Sequence, residues 1–166
     1  MFEIEIKNMK LDKAEVFTFL SGPFSNFTIV TLSYDNITFT STEQLFMYMK
    51  AKHFKDQDSM TKLSTPLHPR DAKQIGREVK NYKDDEWDKV RYSYMLEANK
   101  LKYQNSYFKT SLLNTKDRLL IECNPKDFIW SCGLRFDDPK VLDKASWKGK
   151  NLLGEVLMEI RDQLQQ

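Results

Sequence analysis

The stretch FTSTEQLFMYMKAKHF, residues 39–54, constrains the fold of this chain more than any other segment. Thr40 precedes Glu43 by three residues, which is the spacing of a capping box. A helix is therefore predicted to begin near Ser41 or Thr42. The residues that follow are apolar on every side of that helix rather than along one stripe, and this is typical of a buried helix. We predict that the domain is built around it.

Two charged residues, Glu43 and Lys50, lie within this apolar helix. They are about two helical turns apart, so they share one face. Charged groups in apolar surroundings are costly unless they pair, face a cavity or take part in chemistry. One interpretation is a capping glutamate with a lysine that reaches out to solvent. The other is a pair of functional groups in a site.

Length and composition favour one globular domain. The 166 residues suffice for a full hydrophobic core, and Gly and Pro are scarce, at five each. The sequence contains no apolar run of about 18 residues. Residues 2–7 alternate as a half-buried strand does, and this charged, alternating start predicts that there is no signal peptide. Cys123 and Cys132 form no CxxC motif, and with two histidines no zinc site can be assembled. We predict a reduced, cytoplasmic protein without a bound transition metal or another cofactor.

Charge is unevenly distributed along the chain. The net charge of +2 is too small by itself to indicate a nucleic-acid partner. Residues 1–49 carry three basic and six acidic side chains, whereas residues 50–110 carry fourteen basic and nine acidic ones. A basic middle segment is compatible with phosphate contacts and also with solvated helix surfaces.

The hydrophobic periodicity predicts short strands and several helices. Runs rich in β-branched and aromatic residues indicate strands, and amphipathic runs indicate helices. Strands are predicted over residues 16–20, 28–34, 37–39 and 119–122, with a resumed strand at 128–130, and helices over 58–63, 69–77, 84–104, 106–113 and 152–164. Residues 136–147 are predicted to be a polar loop. The predicted fold class is α+β, a compact and mainly helical single domain with a small β-sheet, over residues 1–166.

Two further segments carry candidate site residues. The loop SGPFSNF, residues 21–27, is either a plain connection or a site loop in which Ser25 and Asn26 hydrogen-bond a polar ligand. Trp87 and Arg91, one turn apart on the long helix, either pack in the core or frame the edge of a pocket.

No nucleotide-binding glycine loop, metalloprotease motif or serine or cysteine nucleophile motif occurs. What remains is a set of carboxylates, a lysine and aromatic residues in four segments, namely Glu43, Lys50, Trp87, Asp127 and Trp130. These residue types suit a planar base attached to a sugar. The base stacks on an indole ring, and a carboxylate stabilises the positive charge that develops at the anomeric carbon.

Several blocks in order cover the chain from about Phe19 to Leu164. They are FLSGPFSNF (19–27), FTSTEQLFMYMKAKHF (39–54), DAKQIGREV (71–79), Trp87 with Arg91 and Met95, KYQN (102–105), IEC with Asp127 and Trp130 (121–130), and WKGKNLLGEVLMEIRDQL (147–164). Together they resemble the NADAR superfamily, also called the YbiA-like family of N-glycosidases. The resemblance implies cleavage of N-glycosidic bonds in ribose or ADP-ribose derivatives. The expected substrates are phosphoribosyl-amino-pyrimidine intermediates of riboflavin synthesis or ADP-ribosylated guanine in DNA.

The resemblance also implies catalytic roles at matching positions. Glu43 falls on the motif glutamate and would polarise a ribose hydroxyl or the attacking water. Lys50 falls on the motif lysine and would capture an opened ribose aldehyde as a Schiff base, which requires that burial depress its pKa. Asp127 would bind the base or orient water.

We also predict residues that bind the substrate, among which Arg135 is a charge that departs from the family pattern. The expected residues are Ser25, Asn26, Trp87, Trp130, Gly133, Arg135, Lys150 and Asn151, the last two at a helix N-terminus suited to phosphate oxygens. Ser131 stands where the family typically has glycine, and it adds a side chain where backbone could approach the ligand. Arg135 would meet a diphosphate or simply be solvated. Cys132 is expected to be a small buried side chain rather than a nucleophile.

Two functional alternatives remain open. The predicted partner is a small ribosyl-phosphate or ADP-ribosyl molecule, or single-stranded DNA that carries such a group, and no membrane. A non-catalytic sensor of ADP-ribose or NAD-like ligands would keep the pocket without turnover. The joint presence of Glu43, Lys50 and Asp127 favours the enzyme, because binding alone does not require all three.

Overall fold

The computed structural model describes residues 10–166, so the strand predicted over residues 2–7 lies outside the described residues. The chain divides into two units. One is the 25–109 unit, and the other, the discontinuous unit, joins residues 10–24 to residues 110–166. Residues 10–166 contain six α-helices and two two-stranded sheets, which confirms the α+β class. The prediction of one domain over residues 1–166 stays a prediction.

The 25–109 unit begins with a β-hairpin. Strands β2 (Ile29–Tyr34) and β3 (Ile37–Ser41) pair antiparallel. Asp35 and Asn36 connect them with φ angles of 52° and 60°, the left-handed conformation that a two-residue hairpin turn requires. β3 leads directly into α1 (Thr42–His53), which is buried on nearly all sides as predicted.

Helix α1 begins at Thr42, but its cap differs by one residue from the predicted capping box. Ser41 is the N-cap residue, and its Oγ accepts a hydrogen bond from the Gln44 backbone N–H at 3.1 Å. The Gln44 side chain returns to Thr40 and accepts hydrogen bonds from its backbone N–H and its hydroxyl, each at 2.9 Å. The predicted pairing of Thr40 with Glu43 is therefore wrong. Gln44 performs that capping function instead.

Three helices complete most of this unit. They are α2 (Gln57–Leu63), α3 (Pro69–Arg77) and α4 (Asp84–Lys102). α3 packs against α1 so closely that a Cβ atom on Gly76 would lie 1.8 Å from the Met47 sulfur. The glycine therefore brings the backbone of α3 against α1. Helix α5 (Ser106–Leu113) follows.

The discontinuous unit contains a parallel strand pair. β1 (Val16–Phe19) pairs with β4 (Leu119–Glu122), and the Cys123 backbone N–H extends the pairing by donating to the Phe19 carbonyl at 2.8 Å. The unit has its own buried apolar cluster, formed by Val16, Ile121, Cys123, Cys132, Leu134 and Val141. Both cysteines are free and buried, as expected for Cys132.

Helix α6 (Leu152–Gln165) covers β4. Its buried face contains Leu153, Val156, Leu157 and Ile160, which are spaced as on one side of an amphipathic helix. In residues 10–166 no helix combines the length and apolar character needed to cross a membrane.

Two predictions in this unit were wrong. Residues 128–130 form no strand, because the backbone N–H groups of Ile129 and Trp130 both donate to Asp127 Oδ1, at 2.9 and 2.8 Å, in a turn. The predicted polar loop over 136–147 contains two short 3₁₀ helices, Pro139–Leu142 and Lys144–Ser146. The side chains of Asp138 and Asp143 cap them.

Candidate active site

Glu43 occupies the second position of α1, where only 7% of its surface is exposed. Its backbone N–H donates to the Asn26 carbonyl at 3.0 Å. The first turn of a helix has backbone donors without partners inside the helix, and the loop supplies an acceptor for one of them. The backbone position of Glu43 is thereby tied to the loop that precedes the hairpin.

Lys50 lies two turns further along α1 and is half-buried. Its Nζ donates to the Gly76 carbonyl of α3 at 2.8 Å and lies 4.3 Å from the centroid of the Tyr82 ring. A backbone carbonyl and an aromatic face both attract the amine without supplying a full negative charge. The lysine is thus held in place but not neutralised by an ion pair at these two contacts.

The surroundings of Lys50 favour its unprotonated form. Burial lowers the pKa of Lys50 below its ordinary value, and the Arg91 guanidinium lowers that pKa further. The carboxylates of Asp84 and Glu43 act in the opposite direction. Because desolvation is the largest effect, more of this amine is unprotonated near neutral pH than in a free lysine.

Arg91 is buried on α4 and carries a second positive charge near Lys50. It forms ion pairs with Asp88 and, at 4.0 Å, with Asp84. Its Nε is buried and has no hydrogen-bond partner among residues 10–166. Tyr82 donates its hydroxyl hydrogen bond to Asp84 at 2.6 Å, so the aromatic ring beside Lys50 belongs to the same polar network.

Trp87 is packed in the core near Lys50 and does not offer an open face for stacking. Only 4% of its surface is exposed, and its ring stacks on Tyr94 with centroids 5.6 Å apart. Phe46 packs on it as well, at 5.5 Å. The Lys50 Nζ lies 6.0 Å from the centroid of the Trp87 ring. Of the two interpretations of Trp87, packing in the core or framing the edge of a pocket, these contacts support the first, and its substrate-binding role stays a prediction.

A groove of about 480 Å³ lies beside Tyr82, the residue whose ring contacts Lys50. It is lined by His53, Phe54, Lys55, Asn81, Tyr82, Lys83 and Glu86. Tyr82, which contacts Lys50, is 39% exposed and is shared with the groove. Aromatic surface combined with two lysines suits an aromatic or anionic part of a ligand.

The loop residues Ser25 and Asn26 are buried and bonded within the protein. Ser25 Oγ accepts a hydrogen bond from the Phe27 backbone N–H at 3.1 Å. The Asn26 side chain donates to the Met95 sulfur at 3.2 Å and accepts from the Asn99 side chain at 3.3 Å. The loop is therefore held by its own side chains, and their substrate-binding role stays a prediction.

In the discontinuous unit, Asp127 organises the turn that contains Trp130. Its Oδ1 accepts from the Trp130 backbone N–H, and the Trp130 carbonyl in turn accepts from the Leu153 backbone N–H at 3.0 Å. Trp130 is partly buried. The aspartate and the tryptophan thus form one structural element at the start of α6.

Ser131 directs its side chain into the protein interior. It is fully buried, and its Oγ accepts from the Asn124 backbone N–H at 2.7 Å and donates to the Glu122 carbonyl at 2.8 Å. Gly133 has a φ of +75°, and a Cβ there would lie 2.9 Å from Lys148 Cβ. The departure at Ser131 therefore adds side-chain hydrogen bonds at the end of β4, and the positive φ and close packing require glycine at position 133.

Two predicted anion-binding residues, Arg135 and Lys150, are exposed. Arg135 forms a two-bond pair with Asp137, at 3.0 and 3.1 Å. Of the two expectations for Arg135, this geometry favours the solvated residue. Ion pairs at such exposure contribute little to stability.

Asn151 has a structural role that its position in the sequence did not indicate. It is 1% exposed, its Oδ1 accepts from the Glu122 backbone N–H and its Nδ2 donates to the Leu120 carbonyl, both at 2.9 Å. These bonds complete the edge of β4 as a neighbouring strand would. The N-terminus of α6 consequently has no side-chain cap from Asn151.

The predicted residues thus fall into two groups. The 25–109 unit contains Ser25, Asn26, Glu43, Lys50 and Trp87, and the discontinuous unit contains Asp127, Trp130, Gly133, Arg135, Lys150 and Asn151. Within the first unit, the Lys50 Nζ lies 6.0 Å from the centroid of the Trp87 ring, and the charge of Glu43 acts to raise the pKa of Lys50. Sequence reasoning missed Tyr82, because no periodic pattern marks a residue in the connection before α4.

A buried carboxylate, an amine of lowered pKa and aromatic walls form a group suited to acid–base and nucleophilic chemistry. On a small α+β fold, such a group is typical of an enzyme that uses acid–base or nucleophilic catalysis.

Comparison with known proteins gives the family. The NADAR domain family matches residues 10–165. The chain is 36% identical over 129 residues to N-glycosidase R617 of Acanthamoeba polyphaga mimivirus, an alignment that covers 77% of this chain and 76% of that protein. It is 33% identical over 150 residues to Protein irg-1 of Caenorhabditis elegans, covering 88% and 71%. The chain therefore belongs to the NADAR domain family.

A solved structure agrees with this assignment. The NMR structure of the Escherichia coli protein YbiA superimposes with a TM-score of 0.74 at 28% identity, covering 96% of this chain and 89% of that one. That protein is named N-glycosidase YbiA, as the mimivirus relative is named an N-glycosidase. The predicted family and the enzyme class, hydrolases that act on N-glycosyl compounds, are confirmed.

Proposed function

We propose that this chain hydrolyses the N-glycosidic bond of a ribose-phosphate or ADP-ribose derivative. The observation that carries the proposal is the pair on α1, a buried Glu43 and a Lys50 whose pKa is lowered by burial. Structural lysines usually keep their charged heads in water. A lysine held by a carbonyl and an aromatic ring, near a carboxylate, is better suited to chemistry at a sugar carbon.

In the proposed mechanism, the Glu43 carboxylate polarises a ribose hydroxyl or the attacking water and stabilises positive charge at the anomeric carbon. Its burial strengthens this electrostatic effect, since charges interact more strongly where water is excluded. The hydrogen bond from the Glu43 backbone N–H to the Asn26 carbonyl fixes the backbone position from which the Glu43 side chain extends.

Lys50 acts as the nucleophile towards the opened sugar. In the ring-opened substrate C1 is joined to the base nitrogen by a C=N bond, and the lone pair of the Lys50 Nζ attacks this carbon. The base nitrogen takes up the two amine hydrogens and leaves as a free amine, so that a C=N bond now joins the sugar to the enzyme. Attack of water on this Schiff base releases the sugar as its aldehyde and restores the free lysine amine. A depressed pKa is needed because only the unprotonated amine has the lone pair.

The leaving group is proposed from the family resemblance. The candidates are guanine that carries ADP-ribose in DNA, and the amino-pyrimidine of a phosphoribosyl intermediate of riboflavin synthesis. Asp127 is proposed to bind the base or orient water, and the remaining predicted site residues are proposed to contact the substrate. Location in the cytoplasm likewise stays a prediction.

The test is a product assay with a matched pair of variants. The protein is incubated with ADP-ribosylated guanine in single-stranded DNA, with the phosphoribosyl-amino-pyrimidine, and with NAD and ADP-ribose. Glu43→Gln should lose turnover at least about 100-fold at an unchanged melting temperature, since one electrostatic stabiliser contributes about that much. Glu78→Gln, at an exposed position of the same unit, should behave as wild type. Turnover retained in Glu43→Gln would remove Glu43 from the mechanism, and binding without any turnover would favour the sensor.

The nucleophile is tested by trapping. Borohydride added during turnover should reduce the Schiff base and leave the sugar on Lys50, where peptide mass spectrometry would locate it. Lys52→Gln, an exposed position on the same helix, should leave the trapped product unchanged. Absence of the adduct from Lys50 during active turnover would exclude the covalent step.

A further inference from the structure

Lys102 is a fully buried lysine that the proposed mechanism does not use. It is the last residue of α4, with 0% of its surface exposed. Its Nζ donates to the Ser25 carbonyl at 2.9 Å and lies 4.9 and 5.4 Å from the ring centroids of Phe108 and Tyr103. Burying an amine among aromatic rings is costly, so an apolar residue here would be less costly to bury.

The lysine is part of a stripe on α4 that holds one loop. Met95, Asn99 and Lys102 are spaced by four and three residues, so they lie on the same face of the helix. The first two bind the side chain of Asn26, at 3.2 and 3.3 Å, and Lys102 binds the carbonyl of Ser25. Three consecutive positions on that face therefore fix two consecutive loop residues.

That loop in turn contacts the first turn of the catalytic helix. The Asn26 carbonyl accepts the hydrogen bond from the Glu43 backbone N–H at 3.0 Å. A displacement of the loop would remove this acceptor and leave a buried helix donor without its partner. The contacts run from α4 through the loop to the residue proposed to stabilise the reacting sugar.

We propose that Lys102 is a positioning residue for Glu43, which acts by clamping the Ser25–Asn26 backbone through its hydrogen bond to the Ser25 carbonyl. Its effect on turnover rests on the proposed function of Glu43, whereas its effect on the Glu43 backbone does not. The two are measured separately.

Three variants separate the clamp from simple core filling. Lys102→Met keeps an unbranched apolar chain but has no donor, and Lys102→Gln keeps an N–H donor. Lys100→Met changes an exposed lysine on the same helix and is the control. If the lysine only fills space, the Met variant should match wild type and the Gln variant should be the worse one.

The first measurement is amide hydrogen exchange by NMR. In Lys102→Met, the Glu43 amide should exchange at least about tenfold faster relative to the Met49 amide in the middle of α1, which reports opening of the whole helix. Lys102→Gln should restore much of the protection of the Glu43 amide against exchange, and Lys100→Met should leave that protection at the wild-type level. Equal acceleration of both amides, or an unchanged Glu43 amide, would overturn the proposal.

The second measurement is steady-state kinetics on whichever glycosyl substrate of the panel the wild type cleaves. Lys102→Met should lower kcat at least about tenfold with a KM change below about threefold, and Lys102→Gln should restore part of kcat. A raised KM at unchanged kcat would contradict a role through Glu43. If Glu43→Gln keeps its turnover, the proposed function fails, and the exchange result still decides whether Lys102 fixes the Glu43 backbone.

Discussion

The chemistry of Lys50 depends on residues that hold its amine without neutralising it. Its hydrogen-bond acceptor is the Gly76 carbonyl, and the nearest ring is Tyr82. Arg91 and Asp84 act on its pKa in opposite directions. The same lysine paired directly with a carboxylate would be protonated more firmly and would be a poorer nucleophile.

Because Arg91 and Asp84 carry opposite charges, replacing one or the other should shift the pKa of Lys50 in opposite directions. In Arg91→Gln the pKa of Lys50 should rise, because a neighbouring positive charge is lost. Turnover at pH 7 should fall several-fold, and the pH of half-maximal kcat/KM should move up. In Asp84→Asn that pH should move down. The pH profile of kcat/KM is the measurement, and shifts of the same sign in both variants would contradict this account.

A second prediction at this scale concerns the cost of burying Lys102. Burial lowers its pKa from 10.5 to about 7 in the folded protein. The unfolded chain therefore binds more protons between pH 7 and 10.5, and the wild type should gain stability as pH rises through this range. Below pH 7 the burial penalty is fully present.

The difference in unfolding free energy between Lys102→Met and wild type should therefore favour the Met variant most at pH 7 and below. Above pH 7, this difference in unfolding free energy should shrink by on the order of 1 kcal/mol per pH unit. Urea unfolding from pH 6 to 10 measures it, with Lys100→Met as the exposed control. A difference that does not vary with pH would show that Lys102 titrates normally.

At the scale of elements, the sequence predicted helices better than it predicted their ends. α1 followed from an apolar run long enough to exclude a short strand. Its cap was misplaced because Thr40 and Ser41 both offer a hydroxyl three residues before a Glu or a Gln. The choice is made by tertiary contacts, since the Gln44 amide also donates to the carbonyls of Leu63 and Thr65, at 2.9 and 2.7 Å.

The candidate site was predictable only in part for the same reason. Glu43 and Lys50 stood out because charges in an apolar helix are unusual. The position of Asn151 before a helix indicated an anion site, yet its side chain bonds to backbone groups about 30 residues earlier in the chain. No local spacing carries that information. Lys102 was likewise indistinguishable from a solvated lysine at a helix end.

Asn151 therefore yields a prediction about the element it supports. Asn151→Ala removes two buried hydrogen bonds and leaves the Glu122 N–H and the Leu120 carbonyl without these partners, which should cost about 2–4 kcal/mol. The positive φ of 54° adds a smaller penalty for alanine. Urea unfolding should show the loss.

Asn151→Gly separates the two effects, because glycine tolerates the conformation but lacks the side chain. Compared with Asn151→Ala, Asn151→Gly should recover only the smaller loss of stability, the one that comes from the positive φ. A variant that unfolds like wild type but shows a raised KM would indicate that Asn151 contacts substrate instead.

At the scale of the whole molecule, the two units differ in charge. Residues 25–109 carry fourteen basic and eleven acidic side chains, net +3, whereas the rest of the chain carries twelve and thirteen. The groove beside the Lys50 cluster contributes Lys55 and Lys83 to this excess. Phosphates bound by lysines release counterions, so binding of a nucleic-acid strand weakens steeply with salt.

This charge distribution leads to a prediction that separates the two substrate classes. If two phosphates of a single strand contact Lys55 and Lys83, affinity for an ADP-ribosylated oligonucleotide should fall about sevenfold between 50 and 200 mM salt. Binding can be measured with the Glu43→Gln protein, which should not turn over. Lys55→Gln should reduce the slope of log affinity against log salt by about 0.7. Lys62→Gln, exposed in the same unit but outside the groove, should leave the slope unchanged. A slope near zero would instead favour the small phosphoribosyl substrate, whose few charges cannot engage a basic surface in this way.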